Sequence, residues 1–193
     1  MISAPWITRA LIATNATVYA LVAIPMDEAG TYGAVLARHG FVPAEPQALD
    51  LLTSLFLHAG LSHLIGNLLV LGVIGRRVEA SLGPLAYLVA FLGTGSVAIG
   101  SFAVFAAGTT VPLVGASGAI CGLLGVYLLR VPEHRWRVAA LALPVLLGPW
   151  LAGAGTHVAY GAHLGGFLAG LLYALALKIP SMRRRGSAAP HKS

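Results

Sequence analysis

An all-α membrane protein of six spans in one domain is what this sequence predicts, and three observations carry that expectation. Of its 193 residues, 58% are hydrophobic and only 9% charged, whereas soluble domains run at roughly 25% charged. The apolar residues fall into six runs divided by turn and charge signals, and each bilayer crossing by a helix takes about 20 residues. The basic residues, finally, gather on one side of the implied sheet of spans, as the positive-inside rule requires.

In chain order the runs are 8–25, 54–75, 84–106, 117–130, 136–152 and 158–178, with Pro25, Pro84, Pro132 and Pro180 at their borders. Placing the N-terminus in the cytoplasm puts 1–8, 76–83, 131–135 and 179–193 on the inner side. Of the twelve Lys and Arg residues, only Arg38 then falls outside, together with the acids Asp27, Glu28, Glu45 and Asp50. Both termini are therefore expected in the cytoplasm. Residues 1–180 form the membrane domain, and 181–193 is a basic tail with the composition of a disordered segment near anionic headgroups.

The outer loop 26–53, with Gly40, Pro43 and Pro46, suits an interfacial structure rather than a span. No cleavable signal follows Arg9, and no internal repeat is evident. The net charge of +6 does not indicate nucleic acid, because the basic residues are spread over short loops and are not interleaved with aromatics. One cysteine, Cys121, excludes an internal disulfide and any cysteine metal cluster.

The fourth run is too short to cross a bilayer if it begins at Ser117. A rise of about 1.5 Å per residue converts distance from a cytoplasmic anchor into depth: Ser117 before Arg130 and His63 before Arg76 both lie at about 20 Å, and His163 before Lys178 at about 22 Å. Three polar residues thus share one level, and polar groups at that depth are functional candidates. Asn67 follows His63 by one helical turn on the same face. Residues 107–116 must descend to Ser117 as irregular backbone, which membranes tolerate only inside protein or along a wet cavity. Gly115 and Gly118 permit the turn, and the helix start at Ser117 directs free N–H groups and a positive dipole end toward its neighbour.

A hydroxyl, an imidazole and hydrogen-bond donors at one depth suit nucleophilic acyl transfer. Ser117 is the candidate nucleophile and His163 the candidate base. His63, Asn67 and the Ser117 backbone N–H are candidates for an oxyanion hole, with an interhelical structural bond as the rival role for the two side chains. No Asp or Glu reaches this level, so a dyad is expected. Gly166 and Gly170 form a G-x-x-x-G face, which with Gly118, Gly122 and Gly125 allows close approach of the fourth and sixth helices.

His58-x4-His63-x3-Asn67 on the second run, G-x-S-G at Gly115 to Gly118, and Ala162-His163-x2-Gly166-x3-Gly170 on the sixth resemble the rhomboid intramembrane serine proteases over nearly the whole chain. The resemblance implies the six-helix rhomboid fold and cleavage of transmembrane protein substrates near the outer end of their span, with no metal or cofactor. It carries Ser117 over as nucleophile, His163 as base, and His63 and Asn67 as oxyanion-hole residues. It also implies a structural contact at Glu79, before Ser81-Leu82-Gly83. Two positions depart: Leu49-Asp50 stands where many members have Trp-Arg, and Cys121 where an aromatic often supports the histidine ring. Another residue must orient His163.

Other classes fit less well. A non-catalytic rhomboid-like factor that binds membrane proteins has the same architecture, yet Ser117 and His163 are both retained here. A transporter lacks repeats and deep charges. A metalloprotease lacks H-E-x-x-H. His58 is read as a tie between the first loop and the second helix, Cys121 as core filling, and His157 and Trp150 as interfacial residues. Asn15-Ala16-Thr17 matches a glycosylation sequon but falls inside a span. A bacterial plasma membrane is the expected location.

Overall fold

The structure is a computed structural model, and it describes residues 5–131, 136, 138, 140 and 157–177. Among the described residues the chain is helical, with no strand beyond a single bridge between Phe41 and Leu113. Three helices are long and apolar enough to cross a membrane: α1 (Trp6–Glu28), α4 (Leu61–Leu82) and α5 (Pro84–Phe105). Two shorter apolar helices, α6 (Ser117–Arg130) and α7 (His157–Ala176), complete the bundle. Between α1 and α4 lie α2 (Tyr32–His39) and α3 (Asp50–Thr53). Of the expected fifth span, 136–152, only residues 136, 138 and 140 are described, and the tail 181–193 and the side chains of Trp150 and His157 lie outside the described residues.

α1 widens into a π-helical turn over Tyr19–Ala23. Pro25 lies just beyond it, after Ile24; it has no N–H to donate one turn back and its ring crowds that carbonyl, and the looser turn absorbs both effects. At its other end α1 is held by a carboxylate from α4. Buried Glu79 accepts from Ile7 N at 3.0 Å, Thr8 N at 2.8 Å and Thr8 Oγ1 at 2.7 Å. The two amides are first-turn donors with no intrahelical partner, at the positive end of the helix dipole, so the contact satisfies both charge and hydrogen bonding. Glu79 is thereby a docking residue.

The second apolar run differs from its helix. The expected span was 54–75, with an inner loop at 76–83; the helix is Leu61–Leu82. Residues 54–60 instead form turns, with Leu55 buried against Ala98 and Ile99 of α5, and Gly60 is extended, with φ 179. The helix therefore starts between the two histidines: His63 and Asn67 are on α4, while His58 precedes it. Hydropathy marks which residues avoid water and is blind to this boundary, since a buried loop is as apolar as a helix. At the far end, Arg76 and Arg77 are exposed on the helix itself, where long stems reach polar surroundings without breaking it. Gly83, with φ 82, then turns the chain into Pro84 at the start of α5.

α6 is the central element. Every residue from Gly118 to Tyr127 is buried, as expected for a helix apolar on all faces. Its Ala119, Leu123 and Val126 join Leu71, Ile74 and Val78 of α4 with Tyr87 and Phe91 of α5 in the main core. Against α7 the packing is backbone to backbone: a methyl on Gly166 would strike the Gly118 carbonyl oxygen, and one on Gly170 the Gly122 carbonyl oxygen. Only glycine permits that approach, and it sets the separation of the two helices.

Candidate active site

Three glycine-permitted contacts assemble the site. The segment before α6 descends with its backbone paired to the loop between α1 and α4. Phe41 and Leu113 exchange hydrogen bonds of 3.0 and 2.8 Å, Ala44 N donates to Thr109 O at 3.1 Å, and Gly115 N donates to Ser54 O at 2.8 Å. Ser54 is anchored in turn by its hydroxyl on the Asp50 carbonyl at 2.5 Å. These bonds satisfy irregular backbone inside the bundle. Asp50, at one of the positions departing from the family pattern, is buried at the start of α3.

Gly115 takes φ 113, a conformation that L side chains avoid. Its α-carbon also abuts His63: a β-carbon there would fall 2.7 Å from Cε1 and 2.8 Å from Nε2 of the His63 ring, and 3.7 Å from Asn67 Nδ2. The turn therefore brings α4's polar face against the start of α6. Ser117 is the first residue of that helix.

The glycine seam brings α7 to the other side of Ser117. His163 Nε2 lies 2.9 Å from Ser117 Oγ, a hydrogen bond between residues 46 positions apart in sequence. Ser117, His163, His63 and Asn67 line one cavity of about 290 Å³, walled by Val70, Ile120 and Leu124 and flanked by Ser62, Gly66 and Cys121. Among the described residues Asn67 Nδ2, though buried, has no hydrogen-bond partner, nor does His163 Nδ1. A donor left free beside a serine at a helix N-terminus can bind an oxygen that becomes negative. No group of His, Cys, Asp and Glu among the described residues is arranged to hold a metal.

His58 is outside the cavity. Its ring packs edge-on to His63, with centroids 5.1 Å apart, and its carbonyl accepts the Tyr32 hydroxyl at 2.7 Å. Burial raises the Tyr32 phenol pKa above its ordinary value, with the His58 bond acting the other way. The loop helix α2 is thus linked to the ring beside Gly115. Cys121 is buried as a free thiol at the cavity edge. Two kinds of residue were missed by sequence reasoning. Ser62, Gly66 and Val70 repeat at four-residue spacing beside His63 and Asn67, and that periodicity was available. Tyr160, whose ring meets His163, stands one turn before it and was readable only as an i, i+3 pair.

The family model described as Rhomboid domain matches residues 45–179. RHOMBOID-like protein 1 of Arabidopsis thaliana is 31% identical over 87% of this chain and 52% of its own length. RHOMBOID-like protein 7 of the same plant is 34% identical over 72% of the chain and 46% of its own. Rhomboid protease GluP of Bacillus subtilis is 30% identical over 75% of the chain and 29% of its own. The chain thus spans about half the length, or less, of these relatives.

Proposed function

The chain belongs to the rhomboid family, and on that premise we propose that it is an intramembrane serine endopeptidase acting through a Ser117–His163 dyad on transmembrane protein substrates. The observation that carries the proposal is the 2.9 Å contact between His163 Nε2 and Ser117 Oγ across the α6–α7 seam.

In this reading His163 Nε2 accepts the Ser117 hydroxyl proton as Oγ attacks the scissile carbonyl carbon. The carbonyl electrons move to oxygen, and the resulting oxyanion is met by Asn67 Nδ2, the His63 ring and the Ser117 N–H. Collapse of this intermediate breaks the C–N bond, and His163 returns the proton to the leaving amine. Water then attacks the Ser117 ester with His163 again as base, forming the acid product and restoring the hydroxyl. That His163 Nδ1 has no partner among the described residues supports reading the pair as a dyad.

The family is one of membrane proteins, and the several apolar helices make this a multi-pass member. The six-span arrangement with both termini in the cytoplasm, in a bacterial plasma membrane, belongs to the proposal. A substrate helix enters sideways between the second and fifth spans and unwinds near the outer end of its span, because a peptide bond must be extended to reach Ser117.

Fluorophosphonate labelling of the chain in liposomes tests the dyad. The native chain is expected to label, with Ser117→Ala and His163→Ala both unlabelled. Labelling that survives both substitutions refutes the dyad, and a native chain that never labels favours a non-catalytic membrane-protein binding factor. For the oxyanion hole, Asn67→Ala is expected to lower the turnover number by about 10² to 10³, the loss typical for one such donor. An unchanged rate with a transmembrane reporter substrate would remove Asn67 from that role.

A further inference from the structure

In the dyad reading, the imidazole has one hydrogen bond where two are usual. Nε2 faces Ser117 Oγ at 2.9 Å, and Nδ1 has no partner among the described residues. A base histidine is ordinarily kept in one rotation by a hydrogen bond from its second nitrogen to an acid or carbonyl. The described acids do not supply it. Asp27 and Glu28 end α1, Glu45 is exposed in the loop, Asp50 begins α3, and Glu79 is committed to Ile7 and Thr8. Rotation about the Cβ–Cγ bond would carry Nε2 away from Ser117, so packing must restrain the ring.

One contact has the geometry for this. The Tyr160 ring meets that of His163 with centroids 5.9 Å apart and planes at 85°. That is an edge-to-face pair within the usual range of about 4.5–7 Å, and the positive edge of one ring against the negative face of the other gives it angular preference. The pair follows from the helix: side chains lean toward the N-terminus, so the His163 imidazole lies over the turn that holds Tyr160. Across the cavity stand Ile120 and Cys121, which offer no ring face.

We infer that Tyr160 is a positioning residue that holds the His163 imidazole in the rotation directing Nε2 at Ser117. The inference rests on the proposed dyad. Its chemistry lies in the ring, so the hydroxyl is dispensable.

The test uses the full chain in liposomes and the maximal rate of fluorophosphonate labelling, measured against pH and separated from probe affinity. Tyr160→Phe is expected to label within about 2-fold of the native rate. Tyr160→Leu, which keeps apolar bulk without a ring face, is expected to fall by about 2- to 10-fold at every pH, the factor an aromatic pair supplies, with probe affinity unchanged. A native rate for Tyr160→Leu overturns the inference, and so does an equal loss in Tyr160→Phe, which would assign the role to the hydroxyl. Should Tyr160→Leu fail to fold, nuclear Overhauser contacts between the Tyr160 and His163 ring protons in the native chain decide: their presence is expected, and their absence overturns the inference. Labelling of Ser117→Ala would instead sink the dyad itself, an outcome distinct from native behaviour of Tyr160→Leu with the dyad variants inactive.

Discussion

Ser117→Ala, His163→Ala and the double variant are expected to lose cleavage of a transmembrane reporter by similar factors, each about 10⁴ or more. A nucleophile and its base act in one step: without the imidazole the hydroxyl keeps its proton, and without the hydroxyl the imidazole has none to take. Losses of two groups that serve one bond-making event therefore do not add. The double variant should be no slower than the worse single, with the residual rate left to the oxyanion donors. Thermal stability in detergent should move little, since the Oγ–Nε2 bond joins two half-buried groups at the edge of a cavity. The measurement is the turnover number of all four proteins in proteoliposomes. A multiplicative loss in the double variant, or a His163→Ala variant within tenfold of native, would mean that the two residues do not work as a pair.

Gly170→Ala is expected to be the most damaging single methyl in the bundle, lowering stability by roughly 1–3 kcal/mol or more and reducing cleavage further than the unfolded fraction explains. The added β-carbon would overlap the Gly122 carbonyl oxygen, and the nearest three atoms it meets are all backbone. Backbone cannot rotate away, so α7 must shift from α6, and the hydrogen bond between Ser117 and His163 lengthens with it. Gly166→Ala, against the Gly118 carbonyl, should behave alike. Gly100→Ala provides the control. It lies on α5 with nothing within 4 Å of an added β-carbon, and there the same change should raise helix propensity by up to about 1 kcal/mol. Thermal unfolding in one detergent compares them, and a Gly170→Ala variant as stable as Gly100→Ala would show that the seam does not set the helix separation.

Part of the architecture is legible in residue order because its causes are local. Pro84 at the start of a helix and Gly83 before it act within one turn, and Ser117, between Gly115 and Gly118 after a proline-containing run, reads as a helix start. The apolar character of α6 on every face identifies a central helix without knowledge of its neighbours. The start of α4 is not legible in that way. Residues 54–60 are as apolar as the helix they precede, and they are drawn into the loop by a distant bond, Gly115 N to Ser54 O. Likewise Glu79, on a run assigned to an inner loop, is a helical residue whose carboxylate closes the first turn of α1 more than 70 positions away.

The amino-acid order by itself determined the membrane class, singled out Ser117, His63 and His163 at similar spacings from basic residues, and supplied the glycines that make close approach possible. These follow from transfer of side chains out of water and from helical rise, both properties of the chain taken one segment at a time. Only the tertiary structure decided which faces meet: that the α6–α7 seam is backbone against backbone, that His63 lies on Gly115, and that His163 reaches Ser117. Those are long-range contacts or rotamer choices, settled by packing among helices, and no local preference encodes them.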